Sequence, residues 1–308
     1  TTGKIVHALR KIGFHKVFDS DFTADLTIME EGTEFLHRLQ NHGTLPLITS
    51  CCPAWVKYCE TYGYDQLDHL STAKSPQQMF GAVIKTFFAE KEKIDPKDIC
   101  SVSVMPCTAK KFECRRKEFH DSGFQDVDIS ITVVELAKMI RTAGIHFEDL
   151  EDQEFDAPFG LGSGAGQIFG STGGVMEAAL RTVYEVLTGE TLEKLEFMQV
   201  RGLEGIREAS LTIKGQEIRV AIVHGLKNVE GILEQIKSGT SPYHFIEVMA
   251  CEGGCIGGGG NAPKTMAKVR ERQRAIYEED QKLLIRKSHE NIYVQKLYEE
   301  YLGEPLSE

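Results

Sequence analysis

The cysteines are the residues of this chain whose positions most clearly suggest chemistry. Cys51 and Cys52 are adjacent after the apolar run LPLITS, Cys107 follows SVSVMP, and Cys251 and Cys255 enclose a Glu-Gly-Gly step after FIEVMA. Adjacent cysteines seldom form a disulfide with each other, because the small ring would strain the peptide between them. The carboxyl ends of strands in open α/β sheets are a usual place for ligands. We therefore expect these thiols to serve a metal centre or catalysis rather than packing.

Spacing alone leaves the type of metal centre open. Zinc prefers tetrahedral sets built from close cysteine pairs, whereas here only Cys251 and Cys255 are close, and Cys52 and Cys107 stand alone. A soft four-thiolate site gathered from distant segments suits an iron–sulfur cluster at least as well. The remaining cysteines are predicted to be small buried hydrophobic side chains; they are Cys59, Cys100 and Cys114.

The composition narrows the possible functions. The net charge of −11 argues against a nucleic-acid surface, since phosphate binding needs clustered Lys and Arg. A hydrophobic content of 41% is enough for a substantial core, and no run approaches the roughly 18 apolar residues of a membrane span. Eight cysteines scattered through such a chain favour metal or catalytic use over a disulfide framework. The chain opens on Thr1 and reads as an interior segment of something longer, so targeting cannot be judged from it.

The elements that must position these residues alternate between helices and strands. Helices are predicted over 3–13, 24–39, 75–94, 132–144, 174–188, 226–238 and from Pro263 onward. Strands are predicted over 15–20, 45–50, 99–106, 126–131, 197–202, 208–213, 217–225 and 243–251. This alternation predicts an α/β fold with mainly parallel, twisted sheets flanked by helices.

A second candidate group lies on the helix predicted over 24–39. Glu31, Glu34 and Arg38 recur at helical spacing and share one face. An isolated pattern of this kind is more often an ordinary solvated face. Glu30, which is outside this pattern, is predicted to face solvent.

Three segments together resemble the signature motifs of the catalytic domain of iron-only (FeFe) hydrogenases. They are TSCCPAW (49–55), MPCTAKKFE (105–113) and EVMACEGGCIGGGG (247–260), and the sequence between them is family-like over nearly the whole chain. Three such motifs in order are highly specific. The resemblance implies an enzyme that reversibly interconverts hydrogen with protons and electrons. It also implies two lobes with the active-site cluster, the H-cluster, in the cleft between them.

The resemblance implies a role for each cysteine of the candidate centre. Cys52, Cys107, Cys251 and Cys255 would hold a 4Fe–4S cubane. The sulfur of Cys255 would also bridge to a two-iron subcluster that carries carbon monoxide, cyanide and a bridging azadithiolate. Cys51 would stay unligated and pass protons to and from the bridging amine.

Other residues are assigned by the same resemblance. Lys110 would donate to one cyanide, and Ser75 would assist at the other. The residues that would line the pocket are Gln77, Met105, Pro106, Phe169 and Met249. The residues that would carry protons between Cys51 and the surface are Glu31, Ser71 and Glu34, with Arg38 near the exit.

The whole chain, 1–308, is interpreted as one hydrogenase catalytic domain. Its first lobe would span about 1–125, its second about 126–262, and a C-terminal helical segment 263–308. The family's upstream strand with its Ala-Pro step is not encoded here, and neither are accessory ferredoxin-like clusters, since no C-x2-C-x2-C run is present. Ala54 replaces the family's usual glycine, and Asn261-Ala262-Pro263 replaces its usual Gln-Pro.

Two alternatives stay open beside the enzyme. One is a hydrogen-sensing relative with low turnover, although such sensors tend to lose the relay cysteine that Cys51 matches. The other is a non-catalytic, hydrogenase-like iron–sulfur assembly protein, which would not need Lys110 or Ser75. The implied partners are ferredoxin or a similar electron carrier and the hydrogenase maturation proteins. A cytoplasmic location is inferred from the family and from cysteine usage.

Overall fold

The computed structural model describes residues 1–262 and 265–307. The helices are α1 (Thr2–Ile12), α2 (Asp21–Gln40), α3 (Pro53–Tyr62), α4 (Pro76–Val83), α5 (Ala89–Glu92), α6 (Lys110–Glu113), α7 (Val133–Thr142), α8 (Gly164–Gln167), α9 (Gly174–Thr188), α10 (Glu230–Lys237), α11 (Met266–Lys282) and α12 (Ile292–Leu297). The strands are β1 (Leu47–Ile48), β2 (Val102–Met105), β3 (Ile129–Thr132), β4 (Ile206–Ile213), β5 (Gln216–His224) and β6 (Phe245–Met249). A π-helical turn over Ile84–Phe88 joins α4 to α5, so the helix predicted over 75–94 is confirmed.

The sheets have the mainly parallel character that the sequence predicts. One sheet has the strand order β1-β6-β5-β4, in which β6 is parallel to β1 and β5, and β4 is antiparallel to β5. The other pairs β2 with β3 in parallel. The α/β fold class is therefore confirmed. Each sheet joins strands from both sides of residue 125, whereas the lobe boundaries at 125 and 262 remain predictions.

The central strands lie between two layers of helices. Every residue of β6 is buried. On one face Phe245 packs in a cluster with Phe35 of α2 and Met176 of α9. On the other face Ile246 packs with Trp55 of α3 and with α10. Parallel strands covered on both faces read as continuous apolar runs, which is why 243–251 was recognisable from sequence.

Two predicted strands and one predicted boundary are wrong. Residues 15–20 and 197–202 form no strand; Val17 exchanges backbone and side-chain hydrogen bonds with Asp156 alone, instead of with a ladder of residues. Residues 197–202 instead form a turn, in which the N–H of Val200 donates to the carbonyl of Phe197 at 3.0 Å. The strand predicted from 99 begins at Val102, which leaves Cys100 exposed rather than buried. Cys59 and Cys114 are buried, as predicted.

Buried charges fix the C-terminal segment to the rest of the chain. The carboxylate of Asp25 on α2 accepts hydrogen bonds from the Ser288 hydroxyl (2.7 Å) and the Asn291 amide (2.7 Å). Arg181 on α9 donates to both oxygens of Asp280 on α11, each at 2.9 Å. The predicted ends of this segment, Pro263 and Glu308, lie outside the described residues. No helix of the described part is long and apolar enough to cross a membrane.

Helix α4 begins after Ser75 and carries Gln77, two of the residues that the resemblance places in the pocket. At Gly81 this helix packs closely against the backbone of another segment. A Cβ at this position would lie 2.3 Å from the backbone oxygen of Asp126. We expect Gly81→Ala to lower the free energy of unfolding by about 1–3 kcal/mol, because overpacking outweighs the better helix propensity of alanine. Thermal unfolding measures this. Gly231→Ala on α10, where a Cβ meets nothing within 4 Å, is the control and should be neutral or stabilising; equal behaviour of the two variants would contradict the prediction.

Candidate metal centre

Two of the cysteine segments meet because their strands are parallel neighbours. Strand β1 ends at Ile48 and leads to Cys52, which is the N-cap of α3. Strand β6 ends at Met249 and leads to Cys251. The backbone N–H of Ala250 lies 3.4 Å from the sulfur of Cys52 and donates to it. The carboxyl ends of adjacent parallel strands thus place Cys52 beside the Cys251–Cys255 turn.

The third cysteine segment is brought in by the glycines that follow Cys255. The N–H of Gly260 donates to the backbone oxygen of Pro106 at 3.0 Å. A Cβ at Gly258 would lie 2.2 Å from that oxygen, and one at Gly260 would lie 2.7 Å from the nitrogen of Cys107. Only glycine allows this approach. The end of β2 is therefore held against the loop that carries Cys255.

The four thiols interact electrostatically. Burial raises the pKa of Cys255, and so do its neighbours Cys52, Cys107 and Cys251 in smaller measure. Burial also raises the pKa of Cys52, with Cys107 adding to the shift and Lys110 opposing it. A set of partly buried thiols that disfavour each other's ionisation needs a cation to hold it as thiolates. This arrangement fits a metal centre.

The cysteine sulfurs are not part of the compact ligand group of the described residues. That group, with three donor atoms all within 4.8 Å of one another, is Glu185, His289 and Glu290. A zinc ion with bonds of about 2.3 Å would hold its thiolates about 4 Å apart. The arrangement of the cysteines therefore favours a multi-iron cluster over one zinc ion. The acidic group is bridged by Lys287, which lies 2.7 Å from Glu185 and 2.9 Å from Glu290.

A buried lysine stands next to the cysteines. Nζ of Lys110 donates to the backbone oxygen of Cys51 at 3.0 Å and to Glu113 at 2.9 Å. Burial disfavours its charge, but Glu113 more than offsets this and the pKa of Lys110 is raised. A permanent positive charge is thereby fixed at the edge of the cysteine cluster.

Glu113 is a site residue that the sequence interpretation missed. Its carboxylate accepts hydrogen bonds from the hydroxyl of Ser75 and from Nε2 of Gln77, both at 2.9 Å, besides the ammonium of Lys110. The signal was present, because Glu113 closes the MPCTAKKFE motif and follows Lys110 at i+3 on a helix. Ser75 also caps α4 by accepting the N–H of Gln78. Ser75 and Gln77 therefore position the lysine–glutamate pair.

The other predicted pocket residues surround the same cysteine loops. The thioether sulfur of Met249 would lie 2.8 Å from a Cβ at Gly254, and the backbone oxygen of Met105 3.0 Å from one at Gly260. Phe169 and Cys51 both pack against the buried cluster between the sheet and α9. Pro106 is placed by the glycine contacts described above.

Glu31 is the most unusual carboxylate of the chain. Both of its oxygens are buried without a hydrogen-bond partner among the described residues. Burial raises its pKa to about 8, Glu34 adds to the shift and the nearby Ser71 hydroxyl opposes it. Glu31 in turn raises the pKa of the Cys51 thiol, for which burial is the largest cause. A carboxyl group with this pKa can both hold and release a proton near neutral pH.

Hydrogen-bonded polar groups lie between the neighbourhood of Glu31 and the surface. The Ser71 hydroxyl donates to Oε2 of Glu34 at 2.8 Å, and the guanidinium of Arg38 donates to Oε1 at 2.6 Å. Glu34, His37 and Arg38 line a cavity of about 700 Å³. The structure thus brings Ser71, Glu34 and Arg38 together near Glu31, and their role as a proton path remains a prediction.

The expectation for Glu30 is wrong. It is half-buried and accepts hydrogen bonds from the Tyr298 hydroxyl and from the N–H of Leu306 at 3.0 Å. The C-terminal segment folds back over this end of α2, which helical periodicity within α2 could not indicate.

Known families match almost the entire chain. Residues 1–259 match the family described as iron only hydrogenase large subunit, C-terminal domain, and residues 266–308 match iron hydrogenase small subunit. A subunit of an NADP-reducing hydrogenase from Solidesulfovibrio fructosivorans is 52% identical over 100% of this chain and 54% of its own length. The large subunit of a periplasmic [Fe] hydrogenase from Nitratidesulfovibrio vulgaris is 52% identical over 84% of this chain and 62% of its own length.

Solved structures and more distant relatives complete the comparison. A variant of an [FeFe]-hydrogenase from Chlamydomonas reinhardtii superposes with a TM-score of 0.88 at 41% identity, covering 100% of this chain and 85% of that one. A cytosolic iron–sulfur assembly component from Mus musculus is 34% identical over 86% of this chain and 58% of its own length. The chain spans about half the length of the first of these curated relatives.

Proposed function

Because this chain belongs to the iron-only hydrogenase family, we propose that it is the catalytic domain of a protein that interconverts hydrogen with protons and electrons at an H-cluster. The observation that carries the proposal is the convergence of four cysteines, with a fifth, Cys51, next to a buried carboxylate path. We also propose that the chain divides into lobes over about 1–125 and 126–262 and a C-terminal helical segment. Together these parts would position the site.

The residues present fit the cofactor. Cys52, Cys107, Cys251 and Cys255 would hold the 4Fe–4S cubane, since the first three lie near enough to raise the pKa of the Cys255 thiol. Cys255 would also anchor the two-iron subcluster. When bound, this cluster supplies the reversible cleavage of hydrogen into protons and electrons.

Lys110 contributes a fixed positive charge to this site. Its ammonium is buried and held by Glu113, so it can bind an anionic ligand such as cyanide with little reorganisation. Ser75 and Gln77 hold the same carboxylate from the other side. We propose that these residues orient the lysine; the other cyanide contact of Ser75 and the lining roles of Met105, Phe169 and Met249 remain predictions.

Protons would travel through side chains of α2 and the loop after β1. Cys51 would exchange a proton with Glu31, whose raised pKa of about 8 lets it carry one at neutral pH. Ser71 would relay it to Glu34, to whose carboxylate its hydroxyl donates. Arg38 holds Glu34 at the wall of the surface cavity, where water can take the proton.

Replacing carboxylates on this path should slow turnover without changing the cofactor. We expect Glu31→Gln to lower the rate of hydrogen evolution by about 10²–10⁴-fold, because glutamine keeps the size of glutamate but cannot exchange a proton. Glu34→Gln should show the same type of defect. The double variant should lose little beyond either single one, since breaking one link already disables a series path. Hydrogen evolution with an artificial reductant, on variants matured to equal iron content, measures all three.

Glu60 provides a control for the glutamine substitutions. It is a partly buried carboxylate on α3 that pairs with Arg116 and lies outside the path. Glu60→Gln should leave hydrogen evolution within about twofold of the parent. Multiplicative losses in the Glu31/Glu34 double variant would show that the two carboxylates do not share one route.

An infrared spectrum of the matured protein tests the function itself. Carbonyl and cyanide bands together with hydrogen evolution would support the enzyme. The same bands with turnover lower by orders of magnitude would favour the hydrogen-sensing alternative, and a cubane without these bands would favour the assembly-protein alternative. The enzyme is preferred because Cys51, Lys110 and the full carboxylate path are all present, and because the assembly component is only 34% identical.

Partners and location follow from the same proposal. Electrons would reach the cubane from ferredoxin or a similar electron carrier, and hydrogenase maturation proteins would supply the two-iron subcluster. A cytoplasmic location remains a prediction, since one relative carries the name of a periplasmic enzyme.

A further inference from the structure

The turn that carries two of the four cysteines has a backbone hydrogen bond of its own, from the N–H of Gly254 to the carbonyl of Cys251 at 3.0 Å, and two adjacent glycines. Gly253 and Gly254 have φ values of 83° and 88°, in the left-handed region that other residues rarely adopt. A Cβ at Gly253 would lie 2.5 Å from Cγ1 of Val269, and one at Gly254 would lie 2.6 Å from the nitrogen of Thr172. Glycine is thus required at both positions, and it leaves the Cys251–Cys255 turn dependent on outside contacts for its shape.

A histidine at the end of β5 supplies one of these contacts. The N–H of Gly253 donates to Nδ1 of His224 at 3.2 Å. His224 is 4% exposed, and its own backbone is held on two sides: its N–H donates to Gly205 at 2.9 Å, and its carbonyl accepts from the Asn228 amide at 2.7 Å. The imidazole therefore projects from a rigid strand end into the turn.

In its neutral form, His224 can accept a hydrogen bond at Nδ1. Because Nδ1 accepts a backbone N–H, the neutral ring carries its proton on Nε2. Burial lowers the pKa of His224, and the positive charge of Arg207 lowers it further. Nε2 is buried and has no hydrogen-bond partner among the described residues. The nearby backbone of Leu203 and Glu204 and the charge of Glu252 oppose this shift, but on balance the pKa of His224 is lowered, so the neutral ring keeps Nδ1 as an acceptor.

We propose that His224 is a positioning residue of the metal centre, which fixes the turn at Gly253 and thereby the separation of the Cys251 and Cys255 sulfurs. The inference rests on the proposed function in that these cysteines bind the cubane. Residues that do not bind the metal but hold its ligands in place by hydrogen bonds typically change metal affinity by 10–100-fold when they are mutated. Without His224 the peptide of Gly253 would keep only the hydrogen bond that its carbonyl accepts from the N–H of Thr172 at 3.1 Å. The two thiolates would then sample more positions and bind the cubane less tightly.

Cubane retention tests this without measuring turnover. The full chain, purified without iron, is reconstituted anaerobically with ferrous iron and sulfide, and loss of the cubane absorption to an iron chelator is timed. We expect His224→Phe, which keeps a ring but removes the acceptor, to lose its cubane 10–100-fold faster than the parent. His224→Asn should stay within about threefold of the parent, because Oδ1 of asparagine lies near the place of Nδ1 and accepts the same N–H.

A second histidine of the same sheet is a matched control. Nδ1 of His244 accepts the backbone N–H of Arg219 at 3.1 Å, just before β6 and at the opposite end of this strand from the cysteines. His244→Phe removes the same kind of bond and should retain the cubane as the parent does.

Three results would contradict the proposal. A cubane in His224→Phe as stable as the parent's, equal lability of His224→Asn, or equal lability of His244→Phe would each remove the special role of Nδ1. If His224→Phe does not fold, His224→Asn decides alone: retention supports the proposal and loss refutes it. If the parent chain itself takes up no cubane, the proposed function fails as well, which separates the two failures.

Discussion

Cys255→Ala is expected to abolish hydrogen evolution and to remove the carbonyl and cyanide bands, because one sulfur would serve both metal units. Its thiol is partly buried, and Cys52, Cys107 and Cys251 lie near enough to raise its pKa. The loop that follows it is tightly placed, as a Cβ at Gly258 would lie 2.2 Å from the backbone oxygen of Pro106. Infrared spectra and iron content of the matured variant measure the effect.

The other ligand cysteines give the contrast that defines the bridging role. Cys107→Ala should weaken the cubane, whereas Cys255→Ala should also release the two-iron subcluster. Cys114→Ala is the control, since this buried cysteine donates to the Lys111 carbonyl and lies outside the cluster. Normal carbonyl bands in Cys255→Ala would show that Cys255 is not the bridge.

Cys51→Ser is expected to keep the metal centre but to lower turnover by at least about 100-fold. A serine hydroxyl is a far weaker acid than a thiol, and removal of a general acid–base group typically costs 10²–10⁴-fold in rate. Cys51 is well placed for this role, since Glu31 lies close enough to raise the pKa of its thiol and Lys110 close enough to oppose that shift. Hydrogen evolution and infrared spectra on the same matured sample separate turnover from cofactor content.

Two further cysteine variants test whether the effect is specific to Cys51. Cys52→Ser should impair cubane assembly, whereas Cys59→Ser, on α3 with its thiol directed to the Gly63 carbonyl, should leave turnover unchanged. If Cys51→Ser instead prevents cubane assembly while Cys52→Ser permits it, the roles of the two neighbours are reversed.

Much of the candidate site could be predicted from sequence because its parts are local. Cysteines directly after β1, β2 and β6 are recognisable, since short apolar runs followed by chemically unusual residues are visible within a few positions. Glu31, Glu34 and Arg38 share a helix face for the same reason. The failures concern residues whose partners lie far along the chain: Glu30 binds Tyr298, and Val17 binds Asp156.

The sequence by itself determined the fold class and the family, and it predicted which cysteines and carboxylates carry chemistry, because periodicity, capping and motif spacing are properties of neighbouring residues. Only the tertiary structure decided the burial, the charge state and the contacts of these groups. The raised pKa of Glu31 follows from its burial and from the nearby charge of Glu34, the charge of Lys110 from its pairing with Glu113, and the contact that holds Gly253 of the cysteine turn from His224. Burial, and contacts between residues distant in sequence, exist only once the chain has packed, so no local pattern encodes them directly.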